Sequence, residues 1–221
     1  EVWNDFALAE AYVNGIYGNL MPGMPVSSGI YTDEASGINY AGLFDNPYGY
    51  GTATINSYDE WHYGVIRVIN LMLVEIESGN LTDSEKDQLK GQGLFWRAWA
   101  YFRMVKAYGG VPLITEVQGY EDVEAIQLER SPTSECIDQI VKDLDDAFGM
   151  LPPSWNEANA GRIDKAAAIA FKARVLLFYA SPQFNPDNIE SRWENAYQAA
   201  KEAKEFCEGQ GKGLYDDFAG I

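Results

Sequence analysis

Two cysteines and one histidine are the only thiol or imidazole metal ligands in 221 residues. Neither cysteine stands in a CxxC pair, and zinc usually takes several His or Cys ligands, so no zinc centre is expected. Cys136 and Cys207 lie far apart inside helix-like stretches. Two buried free thiols are the plain reading, and a disulfide between them stays open on sequence alone. Cations are scarce as well: 16 Lys and Arg stand against 33 Asp and Glu, a formal net charge of −17. Phosphate backbones and anionic lipid are gripped by a surplus of Lys and Arg, so neither nucleic acid nor an electrostatic hold on a membrane is expected. No run of 18 apolar residues is present to span a bilayer. P-loop, GxSxG, GxGxxG and D-x-D-x-D-G patterns are missing too, and no cofactor is expected.

What is present describes a folded domain. Hydrophobic residues make up 47% and aromatic residues 14%, far from the composition of a disordered acidic tail. A chain of this length buries about 70% of its unfolded surface and needs no staple to fold. Glu1 is not an initiator methionine and no signal peptide is visible. The chain is therefore expected to be a processed or trimmed piece.

Apolar residues recur at helical spacing almost throughout. Phe6, Ala9, Tyr12 or Val13, Ile16 and Tyr17 make one stripe over 1–20. Residues 21–57 break the pattern with Pro22, Pro25, Gly29, Gly37, Gly42, Pro47 and Gly51, a long loop rich in tyrosine. Trp61, Val65, Val68, Ile69, Met72 and Ile76 predict a helix over 58–78. Thr82 and Glu85 form a T-x-x-E capping box for a helix that reaches Tyr108, where Gly109-Gly110 and Pro112 stop it. Val111–Val117 reads as an extended connector. Ser131 as N-cap with Pro132 at the first position opens a helix striped by Ile137, Ile140, Val141, Leu144 and Phe148. Asp164 caps an alanine-rich helix to Ala180, and a last helix covers about 189–208. Small residues at Ala166, Ala170 and Ala173, answered by Trp193, Ala196, Tyr197 and Ala200, suggest a close helix pair of tetratricopeptide type. The pairs 58–78 with 82–108 and 132–151 with 164–181 repeat that logic. Repeats bury their faces only against neighbours, so an array stopping at Ile221 is expected to lack its C-terminal neighbours.

Several ordered blocks then resemble the SusD/RagB family of Bacteroidetes. They are Val68-Ile69-Asn70-Leu71-Met72; Arg97-Ala-Trp-Ala-Tyr101-Phe102 leading to Tyr108-Gly109-Gly110-Val111-Pro112-Leu113; and Arg130-Ser131-Pro132 running to Asp143-Leu144-Asp145 and Leu151-Pro152. Gly161-Arg162 with Lys165-Ala166-Ala167, then Lys172-Ala173-Arg174-Val175-Leu176, and finally Leu214-Tyr215-Asp216-Asp217 complete the set. The resemblance implies one SusD-like domain over 1–221, all-α, with tetratricopeptide-like repeats and a long irregular loop between the first helix and the first repeat. Members are surface lipoproteins of the outer membrane. They bind glycans without cleaving them and deliver them to a TonB-dependent transporter. By the same resemblance, membrane contact runs only through an N-terminal lipid anchor that this chain does not carry.

Sugar rings stack on aromatic faces, and their hydroxyls need polar partners. The 40–58 segment supplies both, and Tyr40, Phe44, Asp45, Asn46, Tyr48, Tyr50 and Asn56 are the candidate ligand-binding residues. No residue is assigned a catalytic or metal-binding role. Trp61, Trp96, Trp99 and Trp193 fall on helical stripes and are expected in the core. Trp155 lies in a loop. His62 is expected to be a satisfied boundary residue, Arg97 and Arg103 to pair with carboxylates across helices, and the Asp143–Asp146 cluster to be a solvated face. Thr82 completes a glycosylation sequon, but its capping role explains it better. Two other functions remain open on this reading: a tetratricopeptide-type scaffold that grips a peptide, and a helical glycoside hydrolase fragment whose paired carboxylates the sequence cannot single out.

Overall fold

A computed structural model describes residues 2–22, 54, 59–119 and 127–213. Among these residues there are six α-helices and no strand: α1 Phe6–Leu20, α2 Tyr63–Glu75, α3 Asp83–Tyr108, α4 Thr133–Met150, α5 Lys165–Ala180 and α6 Glu190–Gly209. Helices adjacent in sequence pack together from α3 onward, and α1 and α2 both lie against α3. This is the expected tetratricopeptide-like succession of helix pairs.

α3 is the axis of the fold. Every residue from Gly91 to Ala98 is buried, because α1, α2 and α4 cover different sides of it. A helix covered on several sides shows little amphipathic signal. Its start is set by the capping box: the Glu85 backbone N–H donates to Thr82 Oγ1, and the Thr82 N–H donates to Glu85 Oε2 at 2.8 Å. Gly93 admits α2, since a Cβ there would stand 2.2 Å from the Met72 terminal methyl. Phe95, Trp99 and Phe102 meet Phe171 of α5 with ring centroids 4.9–5.5 Å apart.

The stop after α3 has a steric reason. Gly109 adopts φ +73°, which side-chain-bearing residues rarely take. A Cβ on Gly110 would lie 2.1 Å from the Ser131 carbonyl oxygen, a backbone atom that cannot swing aside. Gly110→Ala is therefore expected to cost about 1–3 kcal/mol, read as a fall in the urea midpoint. An unchanged midpoint would mean that this crossing is looser than the geometry shows.

Some expectations need correction. Pro132 is the N-cap of α4 and Thr133 its first residue, one position later than the Ser131 reading. α2 begins at Tyr63, so Trp61 precedes the helix; it is 51% exposed, not core. α6 turns Ala196, Ala199 and Ala203 inward. The α5–α6 seam is Ala173 against Ala199 and Ala203, flanked by Ile169 and Leu176. Ala170, Tyr197 and Ala200 face solvent, and Trp193, 38% exposed, donates its indole N–H to Asn188 Oδ1 at 3.0 Å. Of the α6 residues expected to meet α5, Ala196 is buried as expected, while Trp193, Tyr197 and Ala200 are not, and Ala199 joins the seam instead. Trp96 is core, and Trp99 packs against it partly buried. Trp155 pins its loop by donating to the Ile163 carbonyl. Cys136 and Cys207 are both free, and burial pushes the Cys136 thiol up.

Asp143 is the largest correction. It is fully buried and takes a two-pronged grip from Arg97, Nε to Oδ2 at 2.7 Å and Nη2 to Oδ1 at 2.6 Å. Gln139 also donates to its Oδ1. Arg97 Nη1 donates to Asn70 Oδ1 and to the Thr115 carbonyl, and Asn70 Nδ2 donates onward to the Ile114 and Glu116 carbonyls. Tyr101 Oη both donates to the Ile114 carbonyl and accepts its N–H. Burial pushes its phenol up to about 12. The 111–119 connector has no regular structure of its own, so side chains of α2 and α3 satisfy its polar backbone. Three separate sequence blocks, those of Asn70, Arg97–Tyr101 and Asp143, meet at this point.

Candidate functional site

Trp61, Tyr63 and Tyr108 form an aromatic platform where the chain enters α2. Trp61 lies face to face with Tyr108, ring centroids 4.2 Å apart and planes 8° from parallel, and stands near-parallel to Tyr63 at 5.8 Å. Tyr108 is the last residue of α3, so the Gly109 stop fixes where its ring lies. Its hydroxyl accepts the Glu60 backbone N–H at 2.8 Å. Tyr63 is fixed by donating to the Pro112 carbonyl at 2.9 Å, and burial pushes its phenol well above the ordinary range. The Trp61 backbone N–H donates to Asp59 Oδ1. The supporting rings are thus tied down, while half of Trp61 stays open.

Polar groups edge the platform. Glu60, 5% exposed, accepts from Arg103 at 2.5 Å and from His62 at 2.8 Å. Burial alone would raise its carboxyl; hydrogen bonds from Arg103 and His62, with the Arg103 charge, outweigh that and hold it below the usual carboxylate range. Glu60 is therefore an ionised anchor for its two neighbours. His62 and Arg103 take the boundary and pairing roles expected of them.

Tyr40, Phe44, Asp45, Asn46, Tyr48, Tyr50 and Asn56 lie outside the described residues. Trp61 of the platform follows that segment in sequence. Sequence reasoning misses Trp61 because its spacing fits the α2 stripe; the signal in its favour is its place just ahead of the helix, between Glu60 and His62. A second concavity, a groove of about 510 Å³ between α4, α5 and α6, is lined by Asp138, Lys142, Asp145, Lys172, Asn195 and Glu202, among others. It has no aromatic wall, and its two lysines already pair with Asp146 and Asp145. Among the described residues, no three His, Cys, Asp or Glu gather as a metal site, and no helix is long and apolar enough to cross a membrane.

The described helices form a tetratricopeptide-like repeat array that carries an exposed, rigidly backed aromatic platform. The chain belongs to the SusD-like family: the family model described as starch-binding and associating with the outer membrane matches residues 30–177. A SusD-like protein of Formosa agariphila is 30% identical over 154 residues, which are 63% of this chain and 29% of that protein. A solved SusD-like protein from Bacteroides fragilis is 28% identical with a TM-score of 0.73, over 97% of this chain and 40% of that one. A laminarin-binding SusD-like protein shares the fold, with 23% identity and a TM-score of 0.65 over 80% of this chain and 41% of that one. The chain thus spans less than half the length of each of these relatives.

Proposed function

We propose that this chain captures a glycan on the Trp61–Tyr108 platform at the cell surface, does not cleave it, and delivers it to a TonB-dependent outer-membrane transporter. In that reading it acts as a lipid-anchored member of its family, within a single SusD-like domain. The observation that carries it is Trp61, half exposed on a stack of fixed rings and edged by Glu60, His62 and Arg103. A sugar's apolar face covers the open indole, and its hydroxyls find polar partners at the edge, Arg103 foremost. The candidate residues of the 40–58 segment, Tyr48 and Tyr50 foremost, are proposed to contact the same glycan. The laminarin-binding relative of the same fold supports a glycan as the class of ligand.

The state of Glu60 supports capture without cleavage. Glycosidases need a carboxylic acid kept protonated near neutral pH and a second carboxylate across the bond. Glu60 is held ionised and both its oxygens are engaged. The test is native affinity electrophoresis against plant, host and microbial polysaccharides, with reducing-sugar release measured in the same samples. Retardation by a glycan without release is the expected result. Sugar release would overturn the non-catalytic reading, and silence across the panel would overturn glycan capture by this chain.

A further inference from the structure

Resting on the glycan reading above, we propose that the ligand is an anionic polysaccharide, and that Lys106 and Arg174 receive its carboxylate or sulfate groups beside the platform, with Arg103 at the boundary. The chain carries −17 overall, yet three cations gather here. Lys106 lies one turn beyond Phe102 on α3, its ammonium 5.4 Å from the Phe102 ring centre. Phe102 in turn packs against Phe171 and Phe178 of α5. Arg174 sits between those two positions on α5 and is exposed, so both cations converge on the α3–α5 seam. Arg103, one turn before Lys106, reaches Glu60 and joins this cluster to the aromatic platform.

Local acids offset these charges only in part, Glu60 being the one that acts on Lys106. Glu60 is taken by Arg103 and His62. Asp59, its neighbour in sequence, is exposed and accepts the Trp61 N–H. Among the described residues, neither Lys106 nor Arg174 has a carboxylate within ion-pair distance, although acids outnumber bases two to one. A cation in the last turn of α3 is favoured by the helix dipole, which accounts for Lys106 alone. Arg174 stands in the middle of α5 with no such reason. Partial burial of the Lys106 stem beside Phe102, then the charges of Arg103 and Arg174, depress its ammonium, and the pull of Glu60 does not reverse this, so these cations repel one another and an arriving anion would relieve the repulsion. The distant acids do little against this, because charges are screened beyond about 8 Å at physiological salt.

The experiment compares dextran with dextran sulfate, and laminarin with polygalacturonate, by calorimetry and affinity electrophoresis on the full 221-residue chain. A Lys106→Gln/Arg174→Gln double variant, Trp61→Ala and anionic phosphatidylglycerol vesicles complete the set. Both cations are exposed, so the double variant is expected to unfold at the parent's midpoint. Dextran sulfate, polygalacturonate or both are expected to bind at least about tenfold more tightly than the neutral glucans. The double variant should lose about tenfold for the anionic polymer, and added salt should weaken it similarly. Neutral glucans bound as well as the anionic ones, with the double variant unaffected, would overturn this inference and leave glycan capture standing. Binding of dextran sulfate or vesicles that ignores Trp61→Ala would assign the cluster to something other than the platform's ligand and overturn it too. No binding to any polymer would sink the glycan reading and this inference together.

Discussion

Asp143→Ala is expected to remove about 3–5 kcal/mol of folding stability, the cost of leaving a buried guanidinium without its partner. That is a large part of the roughly 5–15 kcal/mol that holds a domain together. It corresponds to a fall in melting temperature of about 6–20 °C for a chain of this size. Arg97 keeps only neutral acceptors in this variant, Asn70 Oδ1 and the Thr115 carbonyl, which cannot replace a carboxylate bound through two N–H groups. Arg97→Met should cost a similar amount, for Asp143 would then hold its charge in the core with Gln139 alone. The double variant Arg97→Met/Asp143→Leu is expected to recover much of the loss, because no uncompensated charge remains. It should not reach the parent value, since Asn70 and Gln139 would each lack a partner. Urea unfolding followed by tryptophan fluorescence reads all three. A loss below about 1 kcal/mol for Asp143→Ala would show that water reaches this network and that the pairing matters little.

The second large effect falls on binding. Trp61→Ala is expected to lower affinity for a captured glycan by about 30-fold or more, near 2 kcal/mol, as for the central aromatic of a binding surface. The unfolding midpoint should barely move, because half of the ring is already in water. Trp61→Phe should retain part of the affinity, as a smaller ring on the same Tyr108 backing. Tyr108→Ala should lose binding and stability together, since its hydroxyl also accepts the Glu60 N–H. Titration of each variant with the glycan found in the polysaccharide panel makes the comparison. If Trp61→Ala binds like the parent while Tyr48→Ala or Tyr50→Ala does not, the glycan is held by the 40–58 segment and not by the platform.

These two predictions draw on different parts of the chain's legibility. The network around Arg97 is half visible in the sequence. A cation on the apolar α3 stripe has to find a carboxylate, and that pairing is present. Which carboxylate is not visible: Asp143, Asp145 and Asp146 crowd one helix, and only the packing of α3 on α4 chooses. Asp143 lies among Ile140, Leu144 and Ala147 on the covered face, whereas Asp145 and Asp146 pair near the surface with Lys172 and Lys142. Trp61 eludes the sequence for the opposite reason. Its spacing matches a helix that starts two residues later, so a periodic argument places it on a face where it does not sit.

By itself, the sequence determined what depends on neighbours along the chain. Caps at Thr82 and Asp164, the glycine stop after Tyr108, the order of the helices and the family follow from local hydrogen bonding, local sterics and the order of the quoted blocks. Tertiary structure decided whatever depends on a partner from elsewhere. It made Asp143 the buried acid, turned Ala199 and Ala203 rather than Ala200 toward α5, backed Trp61 with Tyr108 from the far end of α3, and brought Lys106 of α3 within reach of the Arg174 charge on α5. The physical reason is that periodicity reports the angle at which a side chain leaves its helix, whereas burial, pairing and exposure depend on which other element arrives at that angle.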